Sequence, residues 1–183
     1  MLALAGFSYA QNLPSSIRGY KVHRVHVQVR SANDKSTNNK DATVKVGEPR
    51  VVDIGLDGLT LESSAEISAL DQDGQIDLLT FKDVVVNGVP LDIDDYEHSF
   101  NLNKNATLYL PVPIRGHVSA VNVAKAAYKE ATASRAVWQV SGTVFVFGRF
   151  RKMGFTFKRV IPVPITLTIP NPLKTATNAT TNR

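Results

Sequence analysis

The chain has 183 residues, 43% hydrophobic and 20% charged, the balance of a globular domain long enough to bury a core. It has no cysteine, which excludes disulfides, thiol nucleophiles and thiolate metal sites. The net charge of +5 is unevenly spread: residues 48–100 hold thirteen acids and two bases, whereas residues 1–47 hold seven bases and two acids, and residues 101–183 twelve bases and one acid. Such segments predict pairing across the fold. A nucleic-acid partner would want a basic face interleaved with stacking aromatics in a matching module, and neither is evident, so no nucleic acid is expected.

Residues 1–10 (MLALAGFSYA) read as a signal-peptide remnant, with an apolar run ending in Ser8-Tyr9-Ala10, small residues at the positions a signal peptidase requires. Residues 11–19 form a linker. No other stretch approaches the length of a membrane span, so the expectation is an exported protein, secreted or periplasmic. Residues 20–46 are expected to hold an N-terminal strand pair and a mobile loop. Tyr20 to Arg30 alternates, with His23, Val25, Val27 and Val29 on one face and Arg24, His26, Gln28 and Arg30 on the other. His23 and His26 therefore point apart and cannot jointly hold a metal. Ser31 to Ala42 is the polar loop, and Thr43–Val46 a short strand.

Arg50 to Leu56 predicts a strand with Val52, Ile54 and Leu56 inward, followed by a turn at Asp57-Gly58 and apolar runs through Leu59, Leu61, Ala65, Ile67 and Ala69. Asp71-Gln72-Asp73-Gly74 reads as a turn and not a calcium loop, because Ala69 and Thr80 stand where ligands would be needed. Asn87-Gly88, between β-branched runs, predicts a two-residue hairpin pairing Val86 with Val89, Val84 with Leu91 and Lys82 with Ile93. Asp83, Asp92, Asp94 and Asp95 on its outer face are read as solvated charges that oppose edge aggregation, the alternative being a loose cation site.

Asn105-Ala106-Thr107 and Asn178-Ala179-Thr180 match the N-glycosylation triplet. In the strand Leu108–Ile114, Pro111 and Pro113 require an edge or an exit from the ladder. Ser119 to Ala131 predicts the one helix, capped by Ser119 and with Ala120, Val121, Ala124, Ala127, Tyr128 and Ala131 as the stripe that faces a sheet. Trp138 to Phe147 predicts a strand with Val144 and Val146 on one face and Phe145 and Phe147 on the other. The loop Gly148 to Gly154 carries Arg149, Arg151 and Lys152 around Phe150 and Met153, read as a solvated basic tip, the alternative being contact with an anionic membrane surface. Val160 to Pro170 gives a last strand whose Pro162 and Pro164 mark an edge, and residues 171–183 read as a disordered tail.

The elements predict a mainly β protein, an antiparallel β-sandwich with one α-helix. Their order resembles the LEA-2 (late embryogenesis abundant group 2) family, also called the WHy domain. The resemblance spans residues 47–170 and rests on Gly58-Leu59-Thr60-Leu61, on Val86-Asn87-Gly88-Val89-Pro90-Leu91, on the Asn/Ala/Thr turn before Leu108, on the lone helix, and on Val140-Ser141-Gly142-Thr143-Val144 with Phe155-Thr156-Phe157 returning. The family's usual Asn-Pro-Asn before the hairpin is replaced here by Asp71-Gln72-Asp73-Gly74. The resemblance implies a fibronectin- or immunoglobulin-like sandwich and a protective role in desiccation or other stress, without catalysis or cofactor.

The residues themselves point the same way. There is no Gly-rich phosphate loop, GxSxG elbow or HExxH, and His98 and His117 sit beside no motif of known mechanics. No catalytic, cofactor-binding or metal residue is expected. The expected function is protection of client proteins or the envelope. Two alternatives stand beside it: a lipid or apolar-ligand module using a groove between helix and sheet lined by Phe145 and Phe147, and an adhesion or assembly module.

Overall fold

The computed structural model describes residues 13–32, 42–68 and 72–171. The expected signal-peptide remnant, most of the polar loop, Ala69 and Asp71, the triplet at Asn178 and the tail beyond Asn171 lie outside the described residues.

Strands β1 (Ser16–Ile17) and β2 (Tyr20–Val22) form a small hairpin turned at Arg18 and Gly19, both at positive φ (50° and 79°). The single strand expected over Tyr20–Arg30 is instead two. It breaks at residues 23–27, and β3 (Gln28–Ser31) joins a different sheet. The reason lies in what the two ends bury. Val22 packs with Phe145 and Phe147, while Val27 and Val29 pack with Ile76, Ile161 and Val163 on the opposite face of the large sheet. A chain that serves both faces must cross the sheet's edge between them.

Strand β4 (Thr43–Val46) runs parallel to β3. β5 (Arg50–Ile54) and β6 (Gly58–Ser63) pair antiparallel, and β7 (Ala65–Ser68) returns beside β4. Residues 20–46 thus supply strands to the same sheets as residues 47–170. The expected inward face of β5 is corrected. Every residue of it is exposed, with Ile54 at 79% and Leu56 just beyond fully solvated. β5 is an edge strand, and a bulge between Val51 and Asp53 shifts its alternation so that Val51 and Ile54, not Val52, share a face with Leu61 and Leu59.

The central strand β8 (Gly74–Val86) turns at Asn87-Gly88 (φ 50° and 79°) into β9 (Val89–Pro90). Val86 pairs with Val89 as expected, and Leu91 N–H still donates to Val84 O. The expected pairing of Lys82 with Ile93 fails. β10 (Asp92–Ile93) leaves for the sheet of β6, where it pairs with β13 (Ile114–Ser119). The divergence falls at a bulge, where Asp83 takes φ 53° opposite Gly142. A Cβ on Gly142 would lie 2.9 Å from Val84 Cγ2, so the close strand approach there requires glycine.

Tyr96 bridges to Leu79, β11 (Phe100–Leu102) pairs with the start of β8, and β12 (Leu108–Tyr109) pairs with β7. Pro111 and Pro113 fall in the irregular stretch after β12, out of any ladder.

Helix α1 (Ala120–Ala133) follows β13, with Ser119 at the cap position but without a side-chain cap bond. Its expected sheet-facing stripe is also corrected. Ala120, Val121, Ala124, Ala127, Tyr128 and Ala131 are exposed, and the half-buried side is Asn122, Val123, Ala126, Lys129 and Glu130. Polar anchors orient it. Ala120 N–H donates to Asp57 O, Lys129 Nζ to Asn87 O at 2.6 Å, and the buried Asn171 donates to Glu130 Oε1 at 2.6 Å.

Strands β14 (Val137–Lys152) and β15 (Phe155–Pro170) complete a mainly β, sandwich-like fold with one helix among the described residues. The large sheet runs β1-β2-β15-β14-β8-β11, with β9 also on β8. The two four-stranded sheets run β10-β13-β6-β5 and β12-β7-β4-β3. Pairing is antiparallel except for β3 with β4 and β2 with β15.

The main core lies on one face of the large sheet: Ile76, Leu79, Tyr96, Phe100, Leu102, Phe150, Ile161 and Val163, covered by residues of the smaller sheets such as Ile67, Leu108 and Ile114. On the other face Phe145, Phe147 and Val160 are covered by Leu13, Ile17, Tyr20 and Val22. Four of the ion pairs join an acid of residues 48–100 to a base outside them: Arg18–Asp95, Lys45–Glu66, Arg115–Glu62 and Arg149–Asp77. The uneven charge is therefore partly matched across the fold.

Candidate interaction surface at the hairpin tip

β14 and β15 pair without interruption from Val137 opposite Pro170 to Lys152 opposite Phe155. Only Met153 and Gly154 lie between them, at φ 50° and 82°, so the expected loop Gly148–Gly154 is mostly strand. The turn lacks an Asn-Gly or Asp-Gly signal. Gly154 supplies the left-handed position, and sixteen paired residues on each side hold the register.

Strand alternation makes this hairpin two-faced. Outward from the main core, one face reads Ile161 and Val146, then Arg159 and Gly148, then Phe157 and Phe150, then Phe155 and Lys152. The other reads Phe147 and Val160, then Arg149 and Lys158, then Arg151 and Thr156. The apolar face that forms the core is interrupted at Arg159 and Gly148 and resumes beyond them with the phenylalanines of the hairpin. Its neighbours stop short: β8 follows β14 only to Gly74 opposite Phe150, with one further bond from Arg151 N–H to Asp73 O, and β2 follows β15 only at Arg159 and Val160. Among the described residues, 152–158 have ladder partners only within the hairpin itself: Lys152 pairs with Phe155, and Thr156, Phe157 and Lys158 pair with Arg151, Phe150 and Arg149. Phe150 is buried, Phe157 is 38% exposed, Phe155 69% and Met153 89%.

The cations divide by function. Arg149 Nη2 and Nε both donate to Asp77 Oδ1, at 2.7 and 3.1 Å, and Tyr20 Oη donates to Asp77 Oδ2 at 2.9 Å. This carboxylate raises the pKa of the Arg149 guanidinium, by hydrogen bonding and by its charge. Burial, then the bond to Asp77 and its negative charge, push the Tyr20 phenol above its ordinary 10.0. Of the three bases singled out in the sequence, Arg149 is thus held by the body, and Arg151 and Lys152 make no ion pair among the described residues.

Two more cations belong to the tip. Arg159 lies 5.3 Å from the Phe157 ring and Lys158 5.8 Å from the Tyr20 ring. The signal that could have found them was charge: Glu130 is the last acid in the chain.

The other expected residues are scattered. Asp83 and Asp92 line an open groove of about 390 Å³ with Phe81, Val84, Leu91 and Ile93, while Asp95 pairs with Arg18. Among the described residues, no three carboxylate or imidazole side chains come together to hold a metal. His98 stacks edge-on against Tyr96 at 5.4 Å, and His117 is a ladder residue of β13. Phe145 and Phe147 do not line a groove beside the helix. They lie under the β1–β2 hairpin, and the helix instead contacts β6, β13 and β9. A second open groove, about 370 Å³, lies between β3 and the far end of β15.

No family model matches the chain, and no curated protein matches it. A solved structure is similar: the crystal structure of protein from Archaeoglobus fulgidus, 10% identical, covering 70% of this chain and 94% of that one with a TM-score of 0.38. A likeness that distant carries no argument here.

Proposed function

We propose that the protein is a non-enzymatic, exported, LEA-2-like protein that protects client proteins or the envelope during water loss. The observation that supports this reading is the order of elements: a hairpin at Asn87-Gly88, a strand into a lone helix at Ala120–Ala133, and a long returning hairpin. That is the order from which the resemblance was drawn, and it bears on role by analogy alone. The physical means would be a folded body whose charges are partly paired across its sheets, leaving a hydrated surface that keeps aggregating partners apart. Drying a client enzyme with an equimolar amount of the protein tests this. The enzyme should retain more activity than with albumin, and equal loss would sink the reading.

Assembly has one specific observation in its favour. β5 is an open edge that exposes Val51, Val52 and Ile54. Light scattering after size exclusion should then show a dimer or larger species, and Ile54→Lys should return it to a monomer.

A further inference from the structure

We infer that the β14–β15 tip is a docking element for an anionic lipid bilayer. An apolar wedge and a cationic collar must coincide for such docking: the wedge enters the acyl boundary while the collar meets the headgroups. The tip has both. Met153 and Phe155 are its most exposed apolar side chains, and Phe157 links them to the buried Phe150. Lys152 and Arg159 flank the aromatic face, and Arg151 and Lys158 stand on the opposite face.

The partner's chemistry follows from charge and shape. After Glu130 the chain has no acid, so nothing within the hairpin opposes an anionic surface. Among the described residues, the only carboxylate bonded to the hairpin's bases, Asp77, is engaged by Arg149 and Tyr20 at its root. A narrow two-stranded projection offers no broad flat face to another folded protein, but it can enter a lipid interface end-on. The two phenylalanines share one face, with ring centroids 6.5 Å apart, so they would enter together.

The exposed stripe of α1 is a useful contrast. Val121 and Tyr128 are as bare as Phe155, but the stripe has no comparable collar of cations. Docking should therefore engage the tip and leave the helix in water.

The absence of cysteine makes the test direct. Met153→Cys and, separately, Val121→Cys each give a single site for a polarity-sensitive fluorophore. With vesicles of phosphatidylcholine and phosphatidylglycerol, the tip label should shift to the blue and the helix label should not. Pure phosphatidylcholine should give no shift, and added salt should reverse binding. In co-sedimentation, Arg151→Glu/Lys152→Glu should lower partitioning about tenfold or more. Phe155→Ser should lower it while leaving the melting curve intact.

The inference is overturned by no shift on either vesicle, by equal shifts on both, by a shift at the helix label alone, or by variants that sediment like the wild type. Tighter binding to a single-stranded oligonucleotide than to the anionic vesicles overturns it as well. Client protection during drying is measured without vesicles, so either idea can fail alone.

Discussion

The two halves of the β14–β15 hairpin carry the same alternation and meet opposite fates. In the embedded half Phe147 is 1% exposed, Val160 fully buried and Val163 4% exposed. A few residues outward, Phe155 sits in an equivalent pleat at 69% exposure. Nothing in the pairing distinguishes them, since the register is continuous. The difference is made by other elements: β8, β2 and the smaller sheets cover the root and stop before the tip. Alternation assigns a side chain to a face; burial requires a second layer.

The contrast breaks most visibly if aromatic side chains are removed one at a time. Phe147→Ala should destabilise by about 3–5 kcal/mol, because it empties a buried site against Tyr20, whose ring centroid is 5.3 Å away. Phe155→Ala should stay within about 0.5 kcal/mol, since water already surrounds that ring. Denaturant midpoints decide it. Similar losses at both positions would mean that the tip is covered in solution, and the division between root and tip would be wrong.

Next in size is the turn. Gly154 has φ 82°, and a Cβ placed there would meet nothing within 4 Å. Gly154→Ala therefore isolates backbone strain from packing, and roughly 1–2 kcal/mol is expected. If the tip frays independently of the root, the loss will show as faster amide exchange in residues 151–157 with an unchanged global midpoint. That outcome would sharpen the comparison by making the projection a separate unit of stability.

What the sequence displays follows the same division. The Asn87-Gly88 hairpin, the helix start after Ser119, the opposite faces of Val146 and Phe147, and the edge position of Pro162 and Pro164 depend on local pattern, and each is legible. The prolines show why. His23 N–H donates to Val160 O, so even-numbered residues of β15 point to its outer edge, where a missing N–H breaks no bond to β14.

What depends on a covering layer was not legible. The apolar stripe of α1 faces water because Asn87, Asp57 and Asn171 hold its polar side, and no periodicity reveals those distant partners. The exposed face of β5 depends on a bulge and on where the sheet ends. At the tip, the basic residues were visible as a group, but the commitment of Arg149 to Asp77 rests on a contact 72 residues apart.

The smallest effect concerns the cover over the root. Tyr20→Phe keeps the ring against Phe147 and removes only the hydroxyl that donates to Asp77, so a loss of about 1 kcal/mol or less is expected at neutral pH. The sign of its pH dependence follows from the raised pKa. The folded state favours the protonated phenol, so the contribution is fully present below the ordinary value of 10.0 and is lost as pH rises through the higher folded value. Wild type and variant should therefore converge in alkaline solution, because an ionised Tyr20 would face the Asp77 carboxylate and lose its donor. Stability curves that coincide from neutral pH through that range would show that the hydroxyl contributes nothing, leaving the ring alone to hold β2 over Phe147.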